Sequence, residues 1–172
     1  MQTRAPAGQE LAHGSVGTER LKQLDVAVAD VEQRKSNEMI GAELGYRYAG
    51  SPVIWPEAGE GPPDNFMKYE PTSWPGARLP HVWLAGGAAL HDRIGDGYTL
   101  LHLAGAQADS AALVRAFAAH GAPLSVLDIG EPRPRDVYGF DLLLLRPDLH
   151  VVWRGNRLPD DPARLAAVAT GH

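Results

Sequence analysis

Leu142-Leu-Leu-Leu-Arg-Pro-Asp-Leu-His-Val-Val-Trp-Arg-Gly155 carries two apolar runs on either side of a tight-turn signal. Four consecutive leucines lack the apolar–polar alternation of a half-exposed strand, so Leu142 to Leu145 is expected to be a strand covered on both faces. Pro147 and Asp148 suit the central positions of a tight turn. The stretch therefore reads as an antiparallel hairpin, with Leu142 to Arg146 paired to His150 to Arg154.

Downstream, Asp160 and Asp161 precede Pro162, a favourable first-turn proline, and Leu165 and Val168 give a closing helix that stops near Gly171. Upstream, Leu124 to Ile129 reads as a strand. Before it, Asp109 or Ser110 is placed to cap a helix that buries Leu113, Val114, Ala116 and Phe117, and Gly121 sits where a left-handed C-terminal residue is wanted. Tyr98 to Leu103 is a further strand, introduced by Gly95-Asp96-Gly97, where a turn with positive backbone angles is expected. His81 to Leu84 is another strand candidate, with Gly86 and Gly87 marking the turn between the two. The order strand, helix, strand, hairpin, helix is that of an α/β, thioredoxin-like domain, a central mixed sheet with helices packed on its faces, over residues 81–172.

Residues 18–80 read differently. Leu21, Leu24, Val28 and Val31 recur at near-helical spacing from Thr18, with charged and polar residues between them, and Gly41 is expected to end that N-terminal helix. Prolines at 52, 56, 62, 63, 71, 75 and 80 then exclude a continuous helix or central strand. This segment is expected to wrap the domain or to serve as a linker. Residues 1–17, rich in Gly and Ala without a sustained period, read as a flexible arm.

Composition removes several function classes. With 172 residues and a formal net charge of -5, no long basic surface is available to neutralise phosphates, so a nucleic-acid partner is not expected. No apolar run approaches the roughly 20 residues that span a bilayer, and no signal peptide is recognised, so a cytoplasmic location without membrane contact is expected. The chain has no cysteine. Disulfide exchange needs a thiolate at the start of the helix after the first core strand, and that place is Ala104-Gly-Ala-Gln-Ala-Asp-Ser110. A thioredoxin-like fold here must work without thioredoxin chemistry.

Three blocks resemble the C-terminal region of class A FAD-dependent aromatic hydroxylases, the group that includes phenol, hydroxyphenylpropionate and polyketide hydroxylases. They are Gly41-Ala-Glu-Leu-Gly-Tyr-Arg-Tyr48, Pro75-Gly-Ala-Arg-Leu-Pro-His-Val-Trp-Leu84 and Arg146-Pro-Asp-Leu-His-Val-Val-Trp-Arg-Gly155, in family order. The segment Gly95 to Leu101 is similar to the family's entry into the first core strand. The resemblance implies a thioredoxin-like C-terminal domain with a structural, assembly or dimerisation role. For the complete enzyme it implies FAD and NAD(P)H and hydroxylation of an aromatic ring by a flavin hydroperoxide. The chain itself lacks a strand followed by G-x-G-x-x-G opening a helix, so no cofactor, catalytic or metal residue is assigned within it.

Candidate contacts carry competing readings. Tyr46, Arg47 and Tyr48 could stack on a ligand or an interface, or Tyr46 and Tyr48 could pack on one face of a strand with Arg47 on the other. His81 is expected to fix the loop entry through a hydrogen bond, with a binding role as the sharper alternative. His91, Asp92 and Asp96 have no metal-ligand spacing. Ser110 reads as a helix cap, with no marked histidine–carboxylate partner. Arg146 and Arg154 read as surface or salt-bridge residues. Expected partners are a second copy of the chain, on which the N-terminal helix would bury its apolar side, or a separate flavoprotein portion. The alternative is a stand-alone, non-catalytic binding protein using Tyr46, Trp74, Trp83 or His81 to hold a small aromatic molecule or a partner protein.

Overall fold

The computed structural model describes residues 39–172; the expected arm and the helix from Thr18 lie outside them. Ile40–His172 form one compact unit. The short helix α1 (Ile40–Leu44) is followed by a long irregular segment, then β1 (Tyr98–Leu103), α2 (Ala111–Ala119), β2 (Leu124–Ile129), α3 (Pro132–Tyr138), β3 (Leu142–Leu145), β4 (Val151–Gly155) and α4 (Pro162–Thr170). The sheet order is β2-β1-β3-β4. β1 runs parallel to β2 and antiparallel to β3, and β3 pairs antiparallel with β4. This is the mixed sheet of a thioredoxin-like domain. Among the described residues no helix is long and apolar enough to cross a membrane.

The leucine run explains how the two faces are filled. Strand side chains alternate, so Leu143 and Leu145 enter one apolar cluster with Leu79, Val82, Leu90, Leu101, Leu103 and Tyr138. Leu142 and Leu144 enter the opposite one with Leu100, Leu113, Phe117, Val152, Leu165 and Ala166. Helices α2 and α4 cover the second face. The first is covered by α3 and by the chain around residues 79–90. All four leucines are almost completely shielded from solvent.

Helix ends follow local chemistry. Asp161 Oδ1 accepts the backbone N–H of Arg164 at 2.9 Å, Pro162 occupies the first turn, and Gly171 closes α4 in the left-handed region. Gly121 does the same after α2, at φ 66°. The hairpin turn is closed by Leu149 N–H donating to Arg146 O at 3.0 Å around Pro147 and Asp148. Leu149 itself is left-handed, at φ 64°.

Four expectations are corrected. His81 to Leu84 is not a strand: only an isolated bridge joins Trp83 to Ala89, across left-handed Gly86 and Gly87. Two closely spaced turns leave too little extended chain there for a ladder. Helix α3 was not expected because its sequence, Pro132-Arg-Pro-Arg-Asp-Val-Tyr138, opens with two prolines; both fall in the first turn, where no N–H is needed. Gly95 and Gly97 do not adopt positive φ, so their bend needs no glycine on that ground. Gly41 does not end a helix. It lies inside α1 against the backbone of the 65–68 turn, and an added Cβ would come within 1.9 Å of Asn65 O and 2.6 Å of Lys68 O. Close backbone approach is its reason for being glycine.

The Pro- and Gly-rich segment is a wrap rather than a linker, because it supplies hydrogen bonds along the outer edge of β4. Trp55 N–H donates to Val152 O (3.0 Å), Gly76 N–H to Val151 O (2.7 Å), and Val151 N–H to Ala77 O (2.9 Å). Its side chains Ala77 and Leu79 are buried. Prolines flank these contacts without interrupting them.

Two substitutions test this packing. Leu143→Ala should lower the unfolding free energy by about 2–5 kcal/mol in urea titrations, since the cavity lies in the sheet centre. Gly41→Ala should displace α1 from the 65–68 turn, read as faster amide exchange at Ala42, whose N–H donates to Phe66 O at 3.1 Å.

Candidate functional site

The wrap does more than cover the sheet edge: with α4 it encloses a cavity of about 570 Å3. Its walls include Arg47, Tyr48, Trp55, Glu57, Trp74 and Arg164. The volume is in the range of small-molecule sites. The positions of these side chains trace to a buried guanidinium. Arg154, on β4, donates from Nη2 to Glu57 Oε1 at 2.6 Å, from Nε to Glu57 Oε2 at 3.0 Å and from Nη1 to Ser73 Oγ at 2.8 Å. Its planar head lies 4.5 Å from the centre of the Phe140 ring and 4.9 Å from that of Trp74. Ser73 Oγ in turn donates to Tyr138 O at 2.7 Å. A bidentate pair shielded by two rings is a geometry that suits arginine and not lysine.

Arg47, also on the cavity lining, is bound through Nε to Asp64 Oδ1 at 3.1 Å. Gly61 is pressed against Arg47 and Trp74: a Cβ there would lie 2.6 Å from Arg47 Nη1 and 2.9 Å from Trp74 Nε1. Arg164 lies on the exposed side of α4, its guanidinium 5.2 Å from the ring centre of Trp55.

The candidate residues separate in space. Arg47, Tyr48 and Trp74 line the cavity; Tyr46, His81 and Trp83 do not. Alternation places Tyr46 and Tyr48 together, ring centres 5.4 Å apart and edge-on, with Arg47 directed away to Asp64. The Tyr48 hydroxyl donates to Asp148 Oδ2 at 3.2 Å, its ring leans on His150 at 4.5 Å, and the Asp148 carboxylate raises its pKa. Burial pushes the Asp148 carboxyl up. That is outweighed by the His150 backbone N–H and by the nearby charges of Arg146 and His150, which leave it below its ordinary range. His81 makes no side-chain hydrogen bond among the described residues; its ring sits edge-on to Trp83 at 4.5 Å and to His91 at 5.3 Å. Trp55, Glu57 and Arg164 were not singled out in the sequence, and only the density of Trp, Gly and Pro between 50 and 75 hinted at a built surface.

Ser110 occupies the N-cap position of α2, as expected, but its hydroxyl makes no capping hydrogen bond. Asp109 Oδ1 accepts the Ala111 N–H at 3.0 Å and caps α2. The Ser110 hydroxyl instead lies 2.9 Å from His102 Nε2, and His102 Nδ1 is 3.1 Å from Asp128 Oδ1. The connectivity is that of a serine–histidine–aspartate chain. Ser110 and His102 are only 8% and 7% exposed, so the hydroxyl is not presented to a substrate, and the chain fastens β1 and β2 to the start of α2. Among the described residues no three His, Asp or Glu side chains converge as a metal site would require.

A second surface lies beside α1. Ile40, Leu44, Tyr46, Phe66 and Met67 are 39–63% exposed. The Ala42–Phe66 hydrogen bond brings α1 against the 65–68 turn, which Asn65 Oδ1 shapes by accepting the N–H groups of Met67 (3.2 Å) and Lys68 (3.1 Å). These exposed apolar side chains lie on the two segments that the Ala42–Phe66 hydrogen bond joins.

Comparison with known proteins identifies the class. Residues 72–171 match the family described as aromatic-ring hydroxylase, C-terminal, and the chain belongs to that family. It is 37% identical over 145 residues to the FAD-dependent monooxygenase apdD of Emericella nidulans, covering 78% of this chain and 23% of that protein. It is 33% identical over 142 residues to the phenol 2-monooxygenase of Pseudomonas sp. (strain EST1001), covering 71% and 23%. The rebeccamycin biosynthetic enzyme RebC with reduced flavin superposes with a TM-score of 0.68 at 30% identity, over 89% of this chain and 29% of that one. The chain thus spans about a quarter of the length of the curated relatives it matches.

Two measurements follow from the site. Glu57→Gln removes the charge opposite a half-buried guanidinium and should cost about 1–2 kcal/mol of stability in urea unfolding. His91 is held below its ordinary pKa of about 6.5, first by burial and then by Arg78 and His81, against the opposing effects of the Leu79 backbone and Asp92. The unfolded chain therefore binds this proton more readily than the folded one, so the contribution is full above about pH 6.5 and is lost as the pH falls towards the folded value. Unfolding of the parent protein and of His91→Leu, compared from pH 7.5 to 5, should show the parent losing ground as the pH drops.

Proposed function

We infer that the chain works as the C-terminal part of an FAD-dependent aromatic-ring monooxygenase, packing against a flavoprotein portion and supporting its assembly. In that setting FAD and NAD(P)H belong to the flavoprotein portion, as does hydroxylation of the aromatic ring. The observation that carries the reading is the apolar face of Ile40, Leu44, Tyr46, Phe66 and Met67. A water-exposed cluster of this kind is stabilised by burial, at about 25 cal/mol per Å2 of apolar surface removed from water. Relatives named as FAD-dependent monooxygenases are about four times the length spanned by this match and so possess a large further surface. The absence of cysteine supports a non-redox role for the thioredoxin-like fold.

The test is co-expression of the chain with the flavoprotein portion of its apdD relative, truncated before the matching region. Copurification of the two with bound flavin is expected, and Leu44→Asp or Phe66→Asp should abolish it while leaving the circular dichroism of the chain unchanged. The purified chain should leave FAD fluorescence unaltered on titration. Saturable FAD binding by the chain alone would overturn the reading, and so would a dimeric mass in light scattering that either aspartate variant dissolves, since the face would then serve two copies of this chain.

A further inference from the structure

We propose that the cavity between the wrap and α4 is a binding site for a planar aromatic carboxylate. The proposal does not depend on assembly with a flavoprotein, since the cavity and the apolar face beside α1 are built from different side chains.

Charge decides the sign of the ligand. Glu57 is spent on Arg154, and Asp64 on Arg47. Arg164 has no acidic partner within 4 Å among the described residues, so among those residues its positive charge at the α4 side of the cavity is unpaired. Donor geometry points the same way. Arg47 uses Nε and Nη2 on Asp64, and Nη1 faces Gly61 without a protein acceptor among the described residues. Trp74 Nε1 faces the same glycine and donates to no protein group there. The indole nitrogen of Trp74 and the guanidinium Nη1 of Arg47 thus lie side by side against Gly61, two neighbouring donors on the cavity lining that an oxygen acceptor can serve, and a charged acceptor is favoured.

Ring surface decides the shape. Trp55 and Trp74 both line the cavity, and Arg154 lies over Trp74. Indole walls favour a flat π-system, and tryptophan offers that area at little conformational cost. Glycines 59 and 61 keep the wall between them open; any side chain at 61 would strike Arg47 and Trp74. A carboxylate on an aromatic ring satisfies both requirements, whereas inorganic phosphate would use only the donors and a neutral hydrocarbon only the walls.

The experiment uses the full chain labelled with 15N and 2-naphthoate as the probe. The four indole N–H signals of Trp55, Trp74, Trp83 and Trp153 report position. Saturable shifts at Trp55 and Trp74, with Trp83 unmoved, are expected. Arg164→Gln, an exposed substitution on α4 that should leave the fold intact, should weaken binding about tenfold, the loss of one charge-assisted contact. Cyclohexanecarboxylate and 2-naphthalenemethanol should each bind at least about tenfold more weakly than 2-naphthoate. The proposal is overturned by an absence of saturable shifts at millimolar probe, by shifts centred on Trp83, by equal binding of either control, or by an Arg164→Gln variant that binds as tightly as the parent.

Discussion

The guanidinium of Arg154 is the fastening on which the rest of the structure depends. It rises from the last strand of the sheet, yet its partners are Glu57 and Ser73 in the wrap and the rings of Trp74 and Phe140. Through Ser73 it also reaches the end of α3 at Tyr138 O. One side chain thus ties together a strand, a helix terminus and two separated parts of a segment too rich in proline to form its own ladder. With Glu57 and Ser73 in place the arrangement holds one conformation of the wrap, and with either missing it leaves a half-buried charge short of a partner. Glu57, one of its partners, lines the cavity, and so does Trp74, over which the guanidinium lies.

The sheet below is the opposite kind of construction, with an apolar cluster packed on each face and Thr99 and His102 as the buried polar side chains of its strands. Its main polar insertion is His102, on β1, linked to Ser110 and Asp128. In a redox protein of this fold the start of the helix after the first core strand carries the working thiol. Here the same position is closed by a buried hydroxyl and imidazole hydrogen-bonded to each other, with the second ring nitrogen beside the Asp128 carboxylate of the neighbouring strand. Geometry that would prepare a nucleophile in an open cleft acts as a clasp when it is covered, which is how one fold serves unrelated ends.

Much of this was legible in the sequence. The Leu142–Leu145 run, the Pro147–Asp148 turn, Gly121 and Gly171 after their helices, and Pro162 at the start of α4 are local signals whose physics does not depend on distant residues, and each sits where expected. What could not be read was either ambiguous locally or created by contact. Pro132 and Pro134 look like breakers until their place in a first turn is known. Gly41 looks like a helix end until the 65–68 turn is seen pressing on it. The pairing of Arg154 with Glu57 spans 97 residues, and that of His102 with Ser110 depends on how β1 faces α2; neither leaves a spacing pattern. The cavity was missed for the same reason, since Trp55, Trp74 and Arg164 meet only after the wrap is laid down.

The wrap's hydrogen bonds along β4 have a consequence for how this domain behaves in company. A sheet grows by offering unpaired N–H and C=O groups to another strand, and edges left open invite fibrous or swapped assemblies. Trp55, Gly76 and Ala77 already occupy Val151 and Val152 on that side. The remaining edge, β2, is six residues long and carries exposed Ser125 and Asp128, a poor template for recruitment. On the β4 side, contacts with other proteins are left to side chains rather than to backbone, so neighbours can be gained or lost over evolution without that edge becoming the seed of aggregation.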